Sequence, residues 1–174
     1  QFGWSVAISG TTVVVGAHYD NGPGGTPVDL GSAYVFVRSG STWVQQAKLV
    51  ASDATAGDSF GSSVAISADS VLVGAMKDDA PATSNNQGSA YVFVRSGTAW
   101  LQQAKLLAGD PLAGDYFGGS VALSADTALI GATQEVISST NKVGKAYVFV
   151  RSGASWAQQA KFVEGSMVYD NTEF

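Results

Sequence analysis

Apolar residues come in short runs broken by glycine, serine and aspartate, which is the signature of strands rather than of a helix face. In the middle of the chain Ser63 to Ser67 alternates before an Ala68-Asp69 turn, and Val71 to Ala75 follows. A polar loop from Met76 to Gln87 then leads into Ala90 to Val94, and Ser96-Gly97 turns the chain into Trp100 to Leu107. Four such runs with tight turns predict a four-stranded antiparallel meander. The first three strands are apolar on both faces, as expected when sheets are stacked face to face. The fourth, with Gln102, Gln103 and Lys105, suits a solvent-exposed edge.

This pattern occurs three times. The segments GSAYVFVRSGSTWVQQAKL, GSAYVFVRSGTAWLQQAKL and GKAYVFVRSGASWAQQAKF open at Gly31, Gly88 and Gly144. Upstream of them stand FGWSVAISGTTVVVGA, FGSSVAISADSVLVGA and FGGSVALSADTALIGA, opening at Phe2, Phe60 and Phe117. A four-stranded unit recurring at about 40 to 60 residues predicts propeller blades, with approximate bounds 2–57, 58–114 and 115–163, and with 164–174 as a tail or the start of a next blade.

The Phe60-Gly61 opening and the Val73-Gly74-Ala75 close resemble the FG-GAP repeat, the blade unit of integrin α-subunit heads and of many bacterial cell-surface and secreted proteins. The likeness recurs at Phe2-Gly3 with Gly16-Ala17 and at Phe117-Gly118 with Gly131-Ala132. It implies an all-β propeller fold and an extracellular or cell-surface location, closest to the bacterial branch. A closed propeller typically takes about four to eight blades, so three blades are expected to be part of a propeller. Either they come from a longer chain or they belong to a ring assembled between chains, in which case Val6, Ile8 and Val13 to Val15 would form an apolar end surface.

Composition narrows the chemistry. The 174 residues include no cysteine and one histidine, which excludes disulfides, thiolate zinc sites and cysteine nucleophiles and leaves little room for a Ser-His relay. A net charge of -5 disfavours a nucleic-acid partner. The apolar runs are far short of the roughly 20 residues of a membrane-spanning helix. No basic start followed by an apolar run appears at Gln1, so no signal peptide is expected in this chain. No Gly-x-Ser-x-Gly elbow, phosphate-cradling loop or facing carboxylate pair is evident, and an enzyme is not expected.

The candidate sites follow from departures within the repeat. Trp43, Trp100 and Trp156 recur and are expected in inter-blade packing. Trp4 stands where the other copies have Ser62 and Gly119, so the fold does not demand it. With His18, Tyr19, Asn85 and Asn86 it makes up the candidate ligand-binding set. The family's metal loop between the first two strands is missing here, and a second acidic group, Asp20, Asp29, Asp78 and Asp79, offers a candidate Ca²⁺ site against a reading as solvated turns. Asp58 and Asp115, each preceding a Phe-Gly, are expected to fix turns. The arginine row (Arg38, Arg95, Arg151) and lysine row (Lys48, Lys105, Lys161) are expected to make outward salt bridges. The expected role is a structural and adhesive module that offers its loops to a protein or glycan partner, or packs on copies of itself as a homo-oligomer. The alternatives are a lectin-like sugar binder and a fragment of a catalytic propeller.

Overall fold

Alternation along each run, with turn residues between runs, folds every unit into one sheet whose strands pair in chain order. In the computed structural model, which describes residues 1–21, 29–79, 86–138, 141–163 and 166–168, the first sheet consists of β1 (Ser5–Ser9), β2 (Thr12–Ala17), β3 (Ser32–Ser39) and β4 (Thr42–Leu49). The second consists of β5 (Phe60–Ser67), β6 (Ser70–Ala75), β7 (Ser89–Ser96) and β8 (Ala99–Leu106). The third consists of β9 (Phe117–Ser124), β10 (Thr127–Ser138), β11 (Asn141–Ser152) and β12 (Ser155–Val163), with the short β13 (Ser166–Val168) paired to β12. All named pairings are antiparallel, and the described residues contain no helix. These are three blades of a β-propeller type.

Two cores separate the three sheets. Val14 and Val35 of the first blade meet Phe60, Val64, Ile66, Val71, Val73, Tyr91 and Phe93 of the second. Leu72, Val92 and Leu106 on the second blade's other face meet Phe117, Ile130, Tyr147 and Phe149 of the third. The middle blade is therefore covered twice, and all of β6 is buried. Burial of each such side chain is worth about 1.5–3 kcal/mol.

The first blade has only one covered face. Val6 and Ile8 are 69% and 67% exposed, whereas their counterparts Val64 and Ile66 are 8% and 9% exposed. The expected apolar end surface is narrower than Val13 to Val15 suggested, because Val14 points into the first core and Val15 is itself buried.

What holds blade to blade is a backbone contact that explains the recurring motif. The Phe60 amide donates to the Leu30 carbonyl (3.3 Å) and the Phe117 amide to Gln87 (2.8 Å), forming parallel bridges to Gly31 and Gly88. Gly61 sits at φ +87°, and a Cβ there would stand 2.3 Å from the Ser32 carbonyl oxygen. Its own carbonyl lies against Gly16, where a Cβ would be 2.1 Å away, and accepts from Ser5 Oγ at 2.9 Å. The same contact joins Gly118 to Gly74 and Ser63 at the next boundary. Phe-Gly of one blade thus seats on Gly-Ala of the blade before it.

Gly74→Ala would place its Cβ 2.0 Å from the Gly118 carbonyl oxygen, which is main chain and cannot rotate away. Gly131→Ala meets only the rotatable Ser120 Oγ at that range. Urea unfolding is expected to show a loss of about 1–3 kcal/mol or more for Gly74→Ala and a clearly smaller loss for Gly131→Ala. Equal losses would contradict the junction.

Candidate functional site

The polar residues that recur with the blades gather at the boundaries between them. Asp78, just after β6, accepts from Ser89 and Tyr91 of β7 and lies 2.7 Å from Lys105 of β8. The first blade's linker reaches the same place, for Asp53 lies 2.7 Å from Lys105 and 2.9 Å from the Tyr91 hydroxyl. At the next boundary the linker residue Asp110 receives Lys145 at 3.0 Å, Lys161 at 2.8 Å and the Tyr147 hydroxyl at 2.9 Å. The first blade has the inner half of the arrangement: Asp20 accepts from Tyr34 and pairs with Lys48 at 3.1 Å.

These contacts set the charges. Burial pushes Asp110 up, but hydrogen bonds from Lys161, Lys145 and Tyr147 outweigh it and hold the carboxyl down at about 2. Asp53 is lowered for the same kind of reason, with burial opposed and overcome by Lys105 and Tyr91. Burial also works against the Lys105 ammonium, yet Asp53 and Asp78 raise it above its usual value.

A second set of contacts crosses the boundaries from residues beside the β7–β8 and β11–β12 turns. Trp100 Nε1 donates to Gln46 and Trp156 Nε1 to Gln103, both at 2.9 Å, which places these two indoles in inter-blade packing as expected; Trp43, expected there too, is 45% exposed, because no described blade covers the face it stands on. Arg95 reaches Thr12 and Arg151 reaches Ser70 of the preceding blade, while each also pairs with a turn aspartate, Asp69 or Asp126. The basic rows were expected to make outward salt bridges, and the salt bridges are there, but the arginines face outward only in part, and Lys105 and Lys161 turn to the junction acids because the linker supplies carboxylates beside the edge strand. Asp58 and Asp115 close their turns as anticipated, accepting from the Thr55 and Leu112 amides at 2.6 and 2.7 Å.

Three residues that break the repeat come together. The His18 ring lies 4.3 Å from Trp4 and 4.0 Å from Tyr19, centre to centre. His18 is 3% exposed, while Trp4 and Tyr19 are 57% and 43% exposed, so a buried imidazole carries two open rings. Burial lowers the His18 pKa, and the positive charge of Lys77 adds to the effect. Beside this stack is a cavity of about 360 Å³ lined by Phe2, Tyr19, Asp20, Asn21 and Tyr34 among others.

The other sequence candidates are dispersed. Asp78 belongs to the lysine and tyrosine node described above. Asp79 accepts the Asn86 amide at 2.7 Å and closes its own loop. The Asp29 amide donates to Asn21 at 3.4 Å, and Asp29 is exposed. Asn86 adopts φ +51° and offers its carbonyl to the Tyr116 amide. Asn85 lies outside the described residues. Among the described residues, no three acidic or histidine side chains gather closely enough to hold a metal ion. Asp53 and Asp110 were missed by sequence reasoning, although both stand five positions after the edge-strand lysine.

A pH dependence follows from the linker acids. The unfolded Asp110 titrates near about 3.9 and the folded one at about 2. Its contribution is therefore complete above the first value and is lost as pH falls through the second. Asp58 runs the other way, since burial raises its pKa and protonation relieves a cost. Urea unfolding of Asp110→Asn is expected to show lower stability than the parent at pH 7 and a smaller difference from it near pH 2. A difference that does not change with pH would contradict this assignment.

A family model described as the FG-GAP repeat matches residues 1–36, 43–93 and 100–149. A search of the curated proteins finds no match. The second and third matches each run from the edge strand of one sheet through the first three strands of the next, so the sequence unit straddles the blade boundary.

Proposed function

The chain belongs to the FG-GAP repeat family, and from that premise we propose that it is a non-enzymatic recognition module, acting outside the cell, that offers one rim of its first blade to a protein or glycan partner. FG-GAP repeats are typical of extracellular and cell-surface proteins. The observation that carries this reading is the convergence of Trp4, His18 and Tyr19. The other two blades fold with Ser62, Met76 and Lys77 or Gly119, Thr133 and Gln134 in their places. Rings that the scaffold does not need, held on a buried imidazole and left open to solvent, are suited to stack on an apolar partner surface.

The glycan branch is favoured by the polar neighbours of the stack. A sugar presents C–H faces to aromatic rings and hydroxyls to carboxylate and amide groups, and Asp20 and Asn21 line the adjoining cavity. A non-enzymatic role is supported by the state of the acids. Asp20 and Asp78 are each engaged by a lysine and a tyrosine, as charges that hold a fold rather than as a pair facing each other across a substrate.

Binding of the wild-type chain to an array of glycans and to a panel of surface proteins, with Trp4→Ala and Tyr19→Ala alongside, tests the reading. Either variant is expected to weaken the best ligand by about tenfold, which is about 1.4 kcal/mol, with the melting temperature unchanged. Binding that neither variant affects, or no binding to either panel, would overturn it.

A further inference from the structure

The linker between the second and third blades contains a chemically distinctive bond. Asp110 is followed by Pro111, and an Asp-Pro pair occurs once in the chain. The corresponding linker of the first blade has Asp53-Ala54, and Asp53 engages Lys105 and Tyr91 much as Asp110 engages Lys161 and Tyr147. The junction therefore needs the aspartate and not the proline. What the proline changes is the chemistry of the bond, because its nitrogen belongs to a tertiary amide. That nitrogen is protonated more readily than an ordinary peptide nitrogen and leaves more easily once protonated.

In the folded chain the carboxylate beside this bond is held on both oxygens. Lys145 at 3.0 Å and Lys161 at 2.8 Å donate to Oδ2, and the Tyr147 hydroxyl donates to Oδ1 at 2.9 Å. The main chain is fixed on either side as well, for the Gly109 amide donates to Gln158 at 2.9 Å and the Leu112 amide to Asp115 at 2.7 Å. Water has access, since the Asp110 side chain is 43% exposed and Pro111 is exposed. An oxygen bonded to donors on β11 and β12 is not free to turn back onto its own carbonyl carbon.

We propose that the Asp110–Pro111 bond is a self-cleavage site that the fold keeps closed, with Lys145, Lys161 and Tyr147 holding the carboxylate off its own peptide carbonyl until acid opens the junction. Once released, an Asp110 carboxylate oxygen attacks the Asp110 main-chain carbonyl carbon and a C–O bond forms. The C–N bond to Pro111 breaks, its electron pair stays on the proline nitrogen, and that nitrogen takes a proton from the acidic solvent. One water then opens the five-membered anhydride. The products are a chain ending in Asp110 and a chain beginning with Pro111, so the net reaction is hydrolysis of one peptide bond. Acid serves opening and cleavage alike, since protonating Asp110 also removes a counter-charge of Lys145, whose side chain is 4% exposed. The cut falls between the second and third blades and leaves both sheets whole. It is separate from the ligand recognition proposed above, and its test depends on no ligand.

Intact-mass spectrometry of the full chain decides the matter, at the lowest pH at which circular dichroism shows the wild type folded, with and without concentrated urea. The urea-unfolded chain is expected to yield residues 1–110 and 111–174, and the folded chain to yield them at least about tenfold more slowly, because cleavage draws on the opened population. Pro111→Ala, at an exposed position, is expected to abolish these fragments in urea. Lys161→Met is expected to speed cleavage of the folded chain beyond that of wild type brought to the same stability by added urea, and to leave the rate in concentrated urea unchanged. Tyr147→Phe takes its place should Lys161→Met unfold. Equal rates in folded and unfolded wild type, or an intact Asp110–Pro111 bond in the unfolded chain, would overturn the proposal. So would a Lys161→Met chain cleaved no faster than wild type of matched stability, which would mean that global unfolding alone exposes the bond.

Discussion

The structure depends on two main chains lying closer together than any side chain would allow. At each blade boundary a glycine carbonyl of the incoming Phe-Gly lies on the glycine that closes the second strand of the preceding blade, with a serine hydroxyl bonded to the same oxygen. A Cβ on either glycine would collide with backbone, and Gly61 and Gly118 also hold φ +87°, which L side chains rarely adopt. This contact fixes how deeply one sheet settles on the next. The aromatic packing of Phe60 on Tyr91 and Phe93, and of Phe117 on Tyr147 and Phe149, follows from that depth.

Charge is then placed where the backbone has already brought the blades together. The linker aspartates cross from one blade to the lysine and tyrosine of the next, so the segment that joins two sheets covalently also joins them electrostatically. Asp78 is buried with lysine, tyrosine and serine around it, and a carboxylate so placed would be costly if any of these partners were lost. The family's sequence unit runs from the edge strand of one sheet into the first three strands of the next, so each unit carries both sides of a junction. That arrangement accounts for residues that look redundant within one blade.

Much of this was legible because the repeat supplies three readings of each position. The strands, their order, the inter-blade places of Trp100 and Trp156 and the turns closed by Asp58 and Asp115 all follow from local pattern and recurrence. The junction acids were not read, because Asp53 meets Tyr91 and Lys105 across 38 and 52 positions of sequence, and nothing local announces a partner so far away. Their recurrence at one offset was the available signal. The lysines make the salt bridges expected of them, but Lys105 and Lys161 make them toward a linker rather than outward, since an edge strand ending in lysine looks like a solvated guard until the neighbouring linker is in place. Trp4, His18 and Tyr19 stood out as departures from the repeat, but their stacking required the first hairpin to bring residues 4 and 18 together.

If the Phe-Gly seat is what makes three sheets one cooperative body, the amides in it must open only when the body opens. Native-state hydrogen exchange of the Phe60 and Phe117 amides, which donate across the boundaries to Leu30 and Gln87, compared with amides of the buried strand β6, measures this directly. The account predicts that both sets exchange with the same opening free energy and respond equally to added urea. Rapid exchange of Phe60 and Phe117 while β6 stays protected would mean that the blades are stable separately and that the seat is a consequence of their packing rather than its cause.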